Sequence, residues 1–167
     1  ELLAPAGNYD KLRTALYFGA DAVYLGGKNF SLRTFADNFT MDELSSAVRY
    51  AHAQDKKVYV TANIYARNAD FVQLEEYFKA LQTIGVDAAI ISDPGVVYMA
   101  KKAAPNLAVH ISTQANTTNK YAVKFWQEQG VSRVILAREL SIPEIAEIHE
   151  FVPDMELEAF VHGAMCI

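Results

Sequence analysis

Gly85-Val-Asp-Ala-Ala-Ile-Ile-Ser-Asp-Pro94 carries a helix stop, a strand and a helix start in one short stretch. Gly85 supplies the left-handed backbone that commonly ends a helix. Ala88–Ser92 is a nearly continuous apolar run, as expected for a parallel strand buried on both faces. Asp93 then reads as an N-cap, and Pro94 fills the first helical position, where its missing N–H costs nothing. The pattern of glycine, Ala or Val, Asp or Ser, then an apolar strand recurs at Gly19-Ala-Asp21 and Gly130-Val-Ser132. The repeat is a βα unit.

Working outward, the remaining strand-like runs are Leu2–Ala4, Ala22–Leu25, Val58–Ile64, Ala108–Ser112, Arg133–Leu136 and Glu156–Val161. Between them, apolar residues recur at three- and four-residue spacing. One stripe is Leu12, Ala15, Leu16 and Phe18; a second is Leu44, Val48 and Ala51; a third is Leu74, Tyr77, Phe78 and Leu81. Thr40-Met-Asp-Glu43 and Ser141-Ile-Pro-Glu144 are capping boxes, which satisfy the free N–H groups of a helix start. The order predicts seven strands and six helices, most of a TIM-like (β/α)8 barrel in the α/β class. Residues 1–167 are expected to form a single N-terminal barrel domain truncated before its eighth βα unit, since a whole barrel takes ~250 residues. An open doubly wound sheet is the second choice. No Gly-x-Gly-x-x-Gly turn follows the first strand, which weakens its dinucleotide-binding form.

The composition is that of an ordinary globular domain, with 51% hydrophobic and 21% charged residues. No apolar run approaches the roughly 18 residues of a membrane span, and no secretory leader is recognisable. A single cysteine forms no internal disulfide, which fits a cytoplasmic location. The net charge of −5 argues against a broad basic surface for nucleic acid on this segment.

A barrel gathers its strand ends at one mouth, where active sites of this fold lie. The residues placed there are polar. They include Pro5-Ala-Gly7, Tyr24, Thr61, Asn63, Asp93, His110-Ile-Ser-Thr-Gln114, Asn116, Arg138-Glu139 and the run Glu158 to Cys166. Such a ring suits a polar or anionic small molecule. Glu158, His162 and His110 are the candidate catalytic groups. Arg138, Arg33, Gln114, Asn63 and Tyr24 are the candidate substrate contacts, with Arg138 favoured for an anion because its fork matches a carboxylate.

Bland roles stand beside these. Asp93 reads first as a cap, Tyr24 as a core residue with its hydroxyl at the rim, and His110 as a satisfied interior histidine. Glu158 and Arg138 read equally as a buried ion pair. His52 and His149, on helices, read as structural or solvated. The long connection Gly26–Phe39, with Lys28, Phe30, Arg33 and Phe35, is equally a binding loop or a small satellite core. Ser112 or Thr113 with His162 and Asp93 forms no spacing that signals a hydrolase triad, and His110, His162 and Asp93 none that signals a metal site. No His-Glu-x-x-His or Gly-x-Ser-x-Gly motif occurs. Cys166, taken alone, reads as a small buried hydrophobe.

Four stretches in order are more specific than any one of them. Glu1-Leu-Leu-Ala-Pro-Ala-Gly-Asn8, Gly19-Ala-Asp-Ala-Val-Tyr-Leu-Gly26, Ser112-Thr-Gln-Ala-Asn116 and Glu158-Ala-Phe-Val-His-Gly-Ala-Met-Cys166 resemble the bacterial collagenase-like peptidase family, peptidase family U32. The resemblance covers the whole chain. It implies either a peptidase of unknown catalytic class or an oxygen-independent hydroxylase that uses prephenate as its oxygen source. The hydroxylases act on tRNA uridine, ribosomal RNA cytidine or a ubiquinone precursor, so the implied partner is RNA, tRNA above all, or a small aromatic substrate. The resemblance also implies a four-cysteine 4Fe–4S cluster whose first ligand matches Cys166. Arg138 and Arg33 would then hold a dicarboxylate such as prephenate. A tRNA-directed hydroxylase is the leading expectation, a peptidase the second and a non-catalytic binding barrel the third. Open sheet edges leave oligomerisation possible.

Overall fold

The computed structural model describes residues 1–28, 30 and 38–163. Among them, strands and helices alternate throughout: β1 (Leu3–Pro5), α1 (Tyr9–Tyr17), β2 (Ala22–Gly26), α2 (Met41–His52), β3 (Lys57–Thr61), α3 (Phe71–Thr83), β4 (Ala88–Ile91), α4 (Pro94–Ala103), β5 (Ala108–Ile111), α5 (Lys120–Glu128), β6 (Arg133–Ile135), α6 (Ile142–Phe151) and β7 (Glu156–Glu158). Short 3-10 turns occupy Asn68–Asp70 and Thr113–Ala115. The strands are parallel and follow chain order. This is the expected α/β, TIM-like architecture, with seven of the eight strands of a full barrel. No helix among the described residues is long and apolar enough to cross a membrane.

The chain forms two compact units, Glu1–Ala108 and Val109–Ile167. In the first, β1 to β4 are covered by α1 to α4. Val58, Tyr59 and Val60 of β3 are all buried, which explains why the strands read as unbroken apolar runs. Leu12, Leu44, Val48, Leu74, Phe78 and Leu81 seal the helices onto the strands. Each such side chain contributes about 1.5–3 kcal/mol. In the second unit, Ile111, Val134, Leu136, Val123, Trp126 and Ile148 form the equivalent core.

The recurring motif has a structural duty. Asp21 donates its N–H to the Leu2 carbonyl, while its carboxylate accepts the Leu2 N–H at 2.9 Å. Asp87 does the same to Val58, with 3.0 Å for the carbonyl and 2.8 Å for the carboxylate. Ser132 donates both its N–H and its hydroxyl to the Val109 carbonyl. Each motif thus ties the start of one strand to the strand before it. Gly19, Gly85 and Gly130 all have positive φ, as a helix stop requires. The helix starts also match expectation. Asp93 accepts the Val96 N–H at 2.9 Å, and Thr40 and Glu43 close a reciprocal capping box. The Glu144 carboxylate accepts from both the N–H and the hydroxyl of Ser141.

Three expectations are corrected. Phe18 is 79% exposed rather than part of the α1 stripe, because α1 ends at Tyr17 and Phe18 is its C-cap. The third strand stops at Thr61, so Asn63 lies beyond it. The seventh strand stops at Glu158 rather than Val161. Its partner β6 ends at Ile135, and the Leu136 N–H to Glu158 carbonyl bond is the last rung.

The long connection after β2 is closed at its stem. Gly27 and Phe39 form a parallel bridge, with Lys28 N–H on the Phe39 carbonyl and Phe39 N–H on the Gly26 carbonyl, each at 2.9 Å. Phe39 is buried, and the Phe30 ring lies 5.2 Å from that of Tyr77. These two phenylalanines have the satellite-core role. Arg33 and Phe35 lie outside the described residues.

Candidate functional site

Two of the candidate residues, Arg138 and Glu158, lie at the C-terminal ends of β6 and β7. Arg138 follows β6 in a short turn. Its guanidinium carbon sits 4.1 Å from the centroid of the Phe160 ring, a cation–π stack. Its Nε is buried without a hydrogen-bond partner among the described residues. The planar fork of an arginine matches the two oxygens of a carboxylate.

Glu158 closes β7. The ion pair expected between Glu158 and Arg138 is not formed. Glu158 Oε2 instead accepts from Nη1 of Arg133 at 3.4 Å. Register is the cause. Arg133 lies opposite Glu156 and Ile135 opposite Glu158, so Arg133 and both glutamates share one face of the sheet. Arg138 lies past the strand and outside this register. Arg133 was not among the expected site residues. Its signal was a lone charge within an otherwise apolar strand run.

Other candidates stand as follows. His110 is buried in β5, directly opposite Arg133 in register. Gln114 is exposed in the 3-10 turn after β5, and Asn116 ends that turn in left-handed backbone. His162 is exposed, two residues past Phe160. Cys166 lies outside the described residues. In the first unit, Tyr24 is half-buried in β2 and Asn63 half-buried beyond β3. The Thr61 hydroxyl donates to the Leu25 carbonyl at 3.3 Å. The turn after β1 is open at Gly7, where an added Cβ would meet nothing closer than the Lys11 ammonium at 3.7 Å. His52 pairs with Asp87 at 2.9 Å and His149 is exposed on α6, so both have the expected structural or solvated roles.

Three of the groups considered for a hydrolase triad already hold the fold. Asp93 caps α4, Ser112 accepts the Gln114 N–H at 3.3 Å, and the Thr113 hydroxyl donates to the Leu136 carbonyl at 3.2 Å. Among the described residues, no group of three or more His, Cys, Asp or Glu side chains is arranged to hold a metal ion.

The model of peptidase family U32 matches residues 7–167. The chain belongs to peptidase family U32. Within the family, it is 50% identical over 167 residues to tRNA hydroxylation protein P1 of Bacillus subtilis (strain 168), covering all of this chain and 39% of that protein. It is 46% identical to tRNA hydroxylation protein P of Escherichia coli (strain K12), again along its whole length and over 37% of that relative. The chain therefore spans about two fifths of the length of these relatives. A solved U32 peptidase superposes with a TM-score of 0.79 at 16% identity, covering 95% of this chain and 67% of that one. At that identity the likeness concerns the fold alone.

Proposed function

We propose that this U32 chain is the N-terminal part of an oxygen-independent RNA hydroxylase that takes its hydroxyl from prephenate and modifies a tRNA uridine. The observation that carries the proposal is the similarity to tRNA hydroxylation proteins, 50% and 46% identical along the full length of the chain. The geometry supports it. Arg138 offers a buried, unpartnered Nε on a guanidinium that rests over the Phe160 ring, which suits a carboxylate of a small dicarboxylic acid. Glu158, His110 and His162 are the groups proposed to accept or hold protons during the reaction. Arg33, Gln114, Asn63 and Tyr24 are the further proposed contacts.

The implied 4Fe–4S cluster needs about four thiolates. This chain has one cysteine, so its own residues do not make up the ligand set. Cys166 is proposed as one ligand, the others belonging to the longer protein. The cluster would supply electron transfer.

The test uses the full-length protein purified without oxygen. Iron and sulfide are measured beside a Cys166→Ala variant, and nucleosides of treated tRNA are analysed by mass spectrometry with and without prephenate. About four irons per chain, lost in the variant, together with prephenate-dependent hydroxyuridine, are expected. Prephenate is also titrated into an Arg138→Ala variant, and equal affinity would remove Arg138 from the site. Absence of both iron and hydroxylation, with gelatin cleavage that survives Cys166→Ala, would return the chain to the peptidase reading. A prephenate-dependent product on a small aromatic compound but not on tRNA would change the substrate class alone.

A further inference from the structure

Arg133 stands at the start of β6 with only 10% of its side chain exposed. Its Nε and Nη2 both donate to a single oxygen of Glu156, at 2.9 and 2.7 Å. Its third nitrogen, Nη1, reaches along the sheet toward Glu158 at 3.4 Å. The two glutamates differ in surroundings. The Glu156 side chain is 63% exposed, whereas that of Glu158 is 20% exposed.

This asymmetry separates two roles for the arginine. A buried guanidinium needs one carboxylate to balance its charge, and Glu156 already provides a forked pair. Glu158 is therefore not needed to neutralise Arg133. The reverse dependence is the stronger one. A largely buried carboxylate loses hydration and favours protonation unless a cation faces it. Arg133 is such a cation, fixed in place from below by Glu156 and aimed at the end of the strand.

We infer that Arg133 is a positioning residue, anchored by Glu156, that holds the Glu158 carboxylate oriented at the C-terminal end of β7. The inference rests on the hydroxylase reading, in which Glu158 serves as a proton-handling group. Arg133 acts only through Glu158. A misplacement of about 1 Å in such a group lowers turnover by up to about a hundredfold.

The experiment uses the full-length protein and measures kcat and KM for tRNA hydroxylation together with the melting temperature. In Arg133→Lys a single ammonium replaces the fork and cannot serve both glutamates. A fall in kcat of about tenfold or more is expected, with KM for tRNA within about threefold. The decisive variant is the double replacement Arg133→Gln with Glu156→Gln. It removes both partners of the strong pair, so no charge is left stranded between them and the fold is expected to hold. Glu158 nevertheless loses its contact with the Arg133 guanidinium, and kcat is expected to stay low at a near-normal melting temperature. A purely structural arginine predicts that activity returns with stability in the double variant. That result, or an unchanged kcat in Arg133→Lys, would overturn the inference. A wild-type protein that hydroxylates no tRNA would overturn the functional reading itself, and this inference with it.

Discussion

Asp87→Ala tests whether the recurring motif holds neighbouring strands together. The carboxylate oxygen Oδ2 accepts two hydrogen bonds, from the Val58 N–H at 2.8 Å and from His52 Nε2 at 2.9 Å. Val58 is fully buried, so its N–H has no water to turn to when the carboxylate is removed. A hydrogen bond to a charged group contributes about 1.5–3 kcal/mol, and a stranded buried donor costs about 1–3 kcal/mol. These ranges describe the same loss and are not added. The His52 contact adds little, because its side chain is 42% exposed and pairs of this kind contribute about 0–1 kcal/mol. The expected loss is about 2–3 kcal/mol for Asp87→Ala. It is under about 1 kcal/mol for His52→Ala. Asp87→Asn retains an oxygen acceptor and is expected to fall between the two. Urea unfolding gives the free energies, and hydrogen exchange at the Val58 amide locates the effect. Loss of less than about 0.5 kcal/mol in Asp87→Ala, or an equal loss in His52→Ala, would refute the staple.

Phe78→Ala, which empties a fully buried site in α3, is expected to cost about 3–5 kcal/mol in the same urea assay. Gly85→Ala forces a side chain onto φ +82° and is expected to cost about 1–2 kcal/mol, all of it from backbone, because the nearest atom to the new methyl would be Val48 Cγ1 at 3.9 Å. Acid is expected to loosen α2 and α6. The Thr40 N–H and hydroxyl hold the Glu43 carboxyl below its ordinary value, and the Ser141 hydroxyl and N–H do the same for Glu144. A depressed carboxylate contributes stability above its unfolded value, near pH 4.5, and loses it as pH falls through the folded value. Helical signal followed from pH 6 to 3 in Glu43→Gln and Glu144→Gln variants is expected to lose this acid-dependent part.

Much of the fold is legible in local chemistry. Helix stops at glycine, caps at Asp93 and Thr40, and parallel strands written as unbroken apolar runs all depend on a few adjacent residues, and each is where it was expected. What was illegible depends on register. The motif aspartates were legible as part of a repeat, but not that Asp21 and Asp87 bind backbone groups 19 and 29 positions away. The strand ends were overrun at Ile64 and Val161, because the last ladder partners are Thr61 and Glu158 and local composition does not show where pairing stops. Phe18 looked like core by spacing, but a residue one step beyond the helix end no longer follows the helical face.

The same distinction decides how the arginines near the candidate site divide their work. Glu158 has two nearby candidates in β6 and the turn after it, and sequence spacing favours neither. The parallel register does. It sets Arg133 against Glu156 with Glu158 two residues further along the same face, so the arginine inside the strand takes the glutamates. Arg138, five positions on and beyond the ladder, has no carboxylate among the described residues and rests on an aromatic ring instead. An ion pair with Glu158 would have used its fork and left the end of β6 without a cation to offer. Because register assigns that pair to Arg133, the Arg138 Nε is left without a carboxylate partner among the described residues, and its fork has the geometry that matches one.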